Sequence, residues 1–139
     1  MSSAERAESL LISEGHTCVL CNGEETYPSD KRGVAPLLEL LGSGKNFSGF
    51  AAADKTVGAG AAYLYVLLGV KEVRAGIISE AGLKILNDAG IVCRFKSKVP
   101  YIINRAGDGM CPIESAVKGA GSPEEALVII KQTLKSLKG

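Results

Sequence analysis

The chain has 139 residues, 16 basic against 15 acidic side chains, a net charge of +1, and only 5% aromatic residues with no Trp. One domain of this length buries roughly 68% of the surface its unfolded chain exposes. The balanced charge and scarce rings disfavour a dedicated nucleic-acid binder, which needs cations for phosphates and rings for bases.

In chain order, Ala4, Ala7, Leu10 and Leu11 recur at helical spacing opposite Glu5, Arg6 and Glu8, which predicts a helix over 4–14. His16 to Leu20 reads as a strand, Asn22-Gly23 as a type I′ hairpin turn, and a polar second arm ends at Tyr27. Val34, Leu37, Leu38 and Leu41 predict the next helix, ended by Gly42. A strand over Phe47 to Ala53 then feeds the stretch on which the chain is organised, Phe50 to Val70, whose part from Thr56 to Val70 carries no charge. Its helical part is apolar on every side and so belongs in the interior. Gly58 and Ala62, one turn apart, let it approach a neighbour closely, and Gly69 suits a left-handed cap. Further strands are expected over Lys71 to Ile78 and Ile91 to Lys96, with a helix from Ser79-Glu80 to Gly90 between them. Val99 to Ile103, a Gly-rich loop over Asn104 to Met110, and two helices opening at Cys111-Pro112 and Ser122-Pro123 complete the chain. The alternation of strand and helix predicts a single α/β domain over 1–139 with a mixed sheet, a core over about 16–117, an N-terminal helix over 4–14 and a C-terminal helix over 123–137. The opening residues lack the pattern of a secretory signal, and no uncharged run reaches the roughly 20 residues of a membrane span. A soluble cytoplasmic protein with reduced thiols is expected.

Several motifs are weighed against plain structural roles. Cys18 and Cys21 match C-x-x-C, but positions three apart on a strand point to opposite faces, so two ordinary thiols are expected. Gly42-Ser43-Gly44-Lys45 lacks the first Gly and the Ser or Thr of a phosphate loop and precedes a strand. Gly58-Ala59-Gly60 has Tyr63 where a dinucleotide fingerprint needs Gly or Ala. His16 is read as a solvated or core histidine. Asp54 and Lys55 fall between a strand and a helix, where α/β proteins bind ligands; Asp54 is better suited to cap the helix, a role compatible with a catalytic one. Cys111 opens a helix, which would lower its pKa and make it a candidate nucleophile; the alternative is a structural Cys. Asn104, Arg105 and Asp108 divide between turn chemistry and binding.

The hairpin, the segment Gly33-Val34-Ala35-Pro36-Leu37-Leu38, the turn Ala53 to Gly58 and above all Pro100 to Glu114 resemble a small prokaryotic family of uncharacterised proteins with a cytidine-deaminase-like fold. The resemblance spans roughly His16 to Val117 and implies a three-layer α/β/α sandwich with a five-stranded sheet. It does not imply deamination. Zinc deaminases need H-x-E and P-C-x-x-C before two helices; here Lys31 to Gly33 and Asp54 to Val57 hold those places, and Cys111-Pro112 has the reverse order. The expected function is therefore a metal-independent and cofactor-free protein that binds or modifies a small anionic or nucleotide-like ligand. Lys55, Arg32, Ser79, Asn104 and Arg105 are its expected binding residues, and Cys111, Asp54 and Glu114 its candidate catalytic groups. The rival is a non-catalytic oligomerisation or interaction module. A ligand-binding protein should gather Asp54, Lys55 and the 104–111 loop around one cavity; an interaction module should scatter them and expose an apolar patch.

Overall fold

Hairpin pairing of Cys18–Asn22 (β1) with Glu25–Ser29 (β2) begins a five-stranded sheet in the computed structural model, which describes residues 1–138 and leaves Gly139 outside the description. The helix Ser3–Ser13 (α1) precedes the hairpin, and Ser2 and Glu5 close a capping box at its start. Only Gly23 of the two turn residues has positive φ, so the hairpin loop is not the expected type I′. Asn22 instead ends the strand opposite Glu25, and Gly23 takes the first central position, as in type II′ turns. Pro28 sits on β2, an edge strand where its missing N–H costs no ladder bond.

The helix Ala35–Gly42 (α2) leads to a turn in which Phe47 packs edge to face on both Phe50 and Tyr27 of β2, with centroids 5.1 and 5.2 Å apart. The strand expected over 47–53 runs instead over Ala51–Val57 (β3), and the helix expected from Thr56 is Ala59–Leu68 (α3). Asp54, Lys55 and Thr56 stay extended because both edges of β3 are occupied, by β1 antiparallel and by Glu72–Ser79 (β4) parallel. Asp54 is therefore a mid-strand residue and does not cap α3; Gly58 holds that place with no side-chain cap. Gly69, at φ 77°, ends α3 in the left-handed cap expected, its N–H donating to Tyr65 and Val66 carbonyls.

Ser79 caps the helix Glu80–Asp88 (α4), which returns the chain to Val92–Val99 (β5), parallel to β4. The order across the sheet is β2-β1-β3-β4-β5. After β5 the chain makes one isolated bridge, Ile103 to Met110, before the short helix Pro112–Ala116 (α5), a 3₁₀ turn and the helix Pro123–Lys138 (α6). None of these helices is long and apolar enough to cross a membrane among the described residues.

Two hydrophobic clusters divide the faces of the sheet. On one face α1 alone packs Ala7 and Leu11 onto Val19, Cys21 and Ala53. On the other, residues from α2 to α6 pack with Cys18, Leu20, Ala52, Val73 and Ala75 around α3. Cys18 and Cys21 thus lie on opposite faces, as strand alternation requires. Because α1 lies against β1 and β3 and barely reaches β4, the β4–β5 half of its face is open.

α3 meets its neighbours at glycines. A Cβ on Gly60 would lie 2.4 Å from Cγ2 of Ile113, and one on Gly82 would lie 3.1 Å from the carbonyls of Val57 and Gly58. Gly58 and Gly60 are thus the closely approached positions of this segment, whereas Ala62 accommodates its methyl group. Gly60→Ala sets a helix-propensity gain of about 1 kcal/mol against overpacking of about 1–3 kcal/mol. Ile113 is β-branched and buried, so it cannot swing aside, and the variant should be less stable in urea denaturation.

Candidate functional site

The carboxyl ends of β3 and β4 are where a parallel sheet presents loops and helix starts. Here α3 begins with free amides and no cap of its own, and the need is met from a distance. Glu114, third residue of α5, is buried and turns away from its own helix. Its Oε2 accepts a short bond from the Ala59 amide, and its Oε1 accepts from the Ile102 amide at 3.3 Å. One carboxylate thus caps α3 and pins the chain leaving β5. Gly58 leaves room for it, since a Cβ there would meet Oε2 at 2.9 Å.

Other expected site residues lie around this carboxylate. The Cys111 amide donates to the Ile102 carbonyl at 2.8 Å, and its side chain makes no cap bond. Its helix has only five residues. Ser79 is fully buried and accepts from the Gly82 amide at 3.0 Å, beside the carbonyls of Val57 and Gly58. Asn104 closes its own loop: Oδ1 accepts from the amides of Gly107 and Asp108 at 2.8 and 3.2 Å, and Nδ2 donates to Asp108 at 2.9 Å. Glu114, Ser79, Cys111 and Asn104 are brought to one end of the sheet, and their polar atoms there serve caps and turns. Arg105 and Arg32 are exposed, Arg32 in the turn next to Lys31, whose carbonyl accepts from Thr17.

Asp54 is set apart, buried under α3. Its Oδ2 accepts from the Tyr65 hydroxyl at 2.6 Å and its Oδ1 from the Thr56 amide at 3.2 Å. With that hydroxyl proton committed, the Cys18 thiol, 3.4 Å away, is the donor to Tyr65. Burial pushes Asp54 up to about 7 against the pull of its two donors, and burial also raises the thiol of Cys18 and the phenol of Tyr65. The hydroxyls of Tyr63 and Tyr65 are the polar side-chain groups of an otherwise apolar helix, and that of Tyr65 is the buried one that joins this network. His16 stands outside it, raised by hydrogen bonds to Asp30 at 2.7 Å and Glu14 at 3.1 Å.

Lys55 lies on the opposite face of the sheet from Tyr65. It borders a concavity of about 330 Å³ beneath the end of α1, together with Glu8, Leu11, Ile12, Gly15, Gly76 and Lys96. Lys55, Gly76 and Lys96 share one row across three strands, between the rows Asp54–Ala75–Phe95 and Thr56–Ile77–Ser97. Gly76 is required there, because a Cβ would approach the Lys55 carbonyl oxygen to 2.7 Å. Inward-facing positions change parity at this row, from Val73 and Ala75 to Ile78 on β4, as across a β-bulge. Glu8 is engaged by Arg74 at 3.3 Å, whereas Lys55 and Lys96 have no acidic partner among the described residues. Lys96 and Gly76 were not among the expected site residues, although the run Arg94-Phe95-Lys96-Ser97-Lys98 shows cations at strand spacing. No cluster of three metal-ligating side chains occurs among the described residues.

Two outcomes follow from the buried carboxylates. Asp54 is about 7 in the fold against 3.8 as an ordinary side chain, so the folded state holds the proton more tightly. Its contribution is complete below about pH 4 and is lost as pH rises through 7. Wild type should therefore lose stability relative to Asp54→Asn over that interval, by up to roughly 4 kcal/mol at 1.4 kcal/mol per unit, and run parallel to it above pH 8 in urea titrations. Glu114→Gln leaves one acceptor for two amide donors and should cost about 1–3 kcal/mol by the same measurement.

Comparison with known proteins gives a family without an assigned role. No curated protein matches the sequence. The crystal structure of a DUF1893 family protein (TM1506) from Thermotoga maritima superposes with a TM-score of 0.86 at 26% identity, covering 92% of this chain and 87% of that one. The family model for TM1506, a domain of unknown function (DUF1893), matches residues 6–134, and the chain belongs to that family.

Proposed function

We propose that the protein binds a small anionic ligand, bearing phosphate or carboxylate, without chemical conversion, on a scaffold we read as cytidine-deaminase-like from its Pro100 to Glu114 segment. The observation that carries this reading is the pair Lys55 and Lys96, lacking acidic partners among the described residues and flanking the Gly76 gap in a concavity of about 330 Å³. Their backbones are two strand spacings apart, about 10 Å, within which two flexible ammonium groups converge on one anion. Opposing charge is smaller. The C-terminal pole of α1 carries about half a negative charge, and Glu8 is already engaged by Arg74. The volume falls in the range of small-molecule sites. Binding without conversion is favoured because the carboxylates expected to act with Cys111 are occupied, Glu114 by two amides and Asp54 by Tyr65 and Thr56.

Titration with inorganic pyrophosphate, followed by calorimetry and by thermal unfolding, tests this. Wild type should bind and unfold at higher temperature, as any ligand of the native state requires. Lys55→Ala and Lys96→Ala should each weaken binding about tenfold, the loss of one charge-assisted hydrogen bond. Both lysines are exposed, so the variants should keep the wild-type fold. Equal binding by wild type and the double variant, or none at millimolar pyrophosphate, would reject the site.

A further inference from the structure

The charges around the concavity under α1 are matched except at two positions. Arg74 engages Glu8 at 3.3 Å and Glu72 at 3.1 Å, Arg94 lies 3.9 Å from Glu72, and Glu14, next to Gly15 at the rim, bonds His16 at 3.1 Å. Lys55 and Lys96 are left over. A phosphate monoester, with about −1.5 to −2 charges at neutral pH, balances two lysines, whereas a carboxylate balances one. A second phosphate finds no further cation, because Arg74 and Arg94 are already paired.

The lysine row has unlike neighbours on its two sides. Toward the amino ends of the strands the face of α1 carries the ion-paired cluster of Glu72, Arg74 and Arg94. Toward the carboxyl ends the next row is Thr56–Ile77–Ser97. The row after that, Val57–Ile78–Lys98, sends Val57 and Ile78 into the core around α3, so Thr56, Ile77 and Ser97 face the side of α1. All three are exposed and uncharged, Ile77 at 42% of full exposure. α1 presents Ile12 to the same concavity, 61% exposed, together with Leu11. Exposed apolar residues scattered singly need no explanation. Here one on the sheet and one on the helix border a single cationic site, and an apolar group joined to the anion would cover both. Gly76 and Ile77 are successive on β4, so a phosphate held over Gly76 by lysines from β3 and β5 brings the rest of its ester over Ile77.

Taking the anion site above as its basis, we propose that the ligand is a phosphate monoester of a small, planar, uncharged ring. The phosphate lies between Lys55 and Lys96 and the ring between Ile12 and Ile77. A volume of about 330 Å³ exceeds what a phosphate group fills and stands at the small end of ligand sites, which leaves room for one ring. An alkyl chain would cover the same side chains but lose more rotational freedom on binding than a rigid ring does.

Calorimetric titration of the full chain with phenyl, methyl and butyl phosphate, benzoate and inorganic pyrophosphate tests this. Phenyl phosphate should bind about tenfold more tightly than methyl phosphate, through the apolar area its ring covers, and about tenfold more tightly than benzoate, which carries one charge. Butyl phosphate should fall between the two other esters. The double variant Ile12→Ala with Ile77→Thr should bind phenyl and methyl phosphate equally, each single variant losing part of the preference. Both side chains are exposed, so pyrophosphate binding and far-UV circular dichroism should stay as in wild type. Equal binding of phenyl and methyl phosphate by wild type that still binds pyrophosphate would overturn the ring and leave the anion site standing. Benzoate or butyl phosphate as tight as phenyl phosphate, or an unchanged preference in the double variant, would equally overturn it. Failure of wild type to bind pyrophosphate as well would remove the anion site and this ligand together.

Discussion

One carboxylate organises the carboxyl end of the sheet. Glu114 reaches the first amide of α3, 55 residues earlier in the chain, and with its other oxygen holds Ile102. The β3–α3 turn, the chain leaving β5 and the start of α5 are thereby fixed to one another. A buried helix start with no cap of its own would leave amides unpaired at about 1–3 kcal/mol each. Gly58 and Gly60 exist to let this happen, since Cβ atoms there would strike Glu114 and Ile113. The close packing of α5 on α3 and the capping of α3 are two aspects of the same contact.

The same logic accounts for the other polar groups at the core. Asp54, Tyr65 and Cys18 form a chain of hydrogen bonds between β3, α3 and β1, and Ser79 caps α4. No buried side-chain nitrogen or oxygen lacks a partner among the described residues. Asp54, Glu114 and Ser79 are thus engaged in hydrogen bonds that hold elements of the fold together. The binding capacity we propose lies instead on the open half of the sheet, where β4 and β5 emerge from under α1 and cations outnumber the acids that neutralise them.

That openness is a matter of coverage. α1 is one helix of 11 residues and lies across β1 and β3, so the face it shares with β4 and β5 cannot be closed by it. The row Lys55–Gly76–Lys96 sits at the boundary between covered and open sheet. A glycine between two lysines is what makes it a concavity: side chains rise on β3 and β5 while β4 contributes only backbone.

Much of the fold was legible in the sequence because it follows from local rules. The amphipathic first helix, the apolar helix ended by Gly69, the Ser79 cap and the opposed directions of Cys18 and Cys21 depend on period, charge and capping chemistry within a few residues. The boundary between β3 and α3 was misplaced because an acid before a small-residue run looks like a cap, and only pairing of β3 on both edges keeps Asp54 extended. Among candidate site residues, Glu114, Ser79, Cys111 and Asn104 do converge at one end, while Asp54 and Lys55, adjacent in sequence, face opposite sides of the sheet. Lys96 was not foreseen because its meeting with Lys55 depends on register across β4. The sequence by itself determined the order and kind of elements, since these rest on contacts within a turn or a strand. Which acid caps which helix, and which lysines share a concavity, was decided only by tertiary structure, because those contacts join residues tens of positions apart.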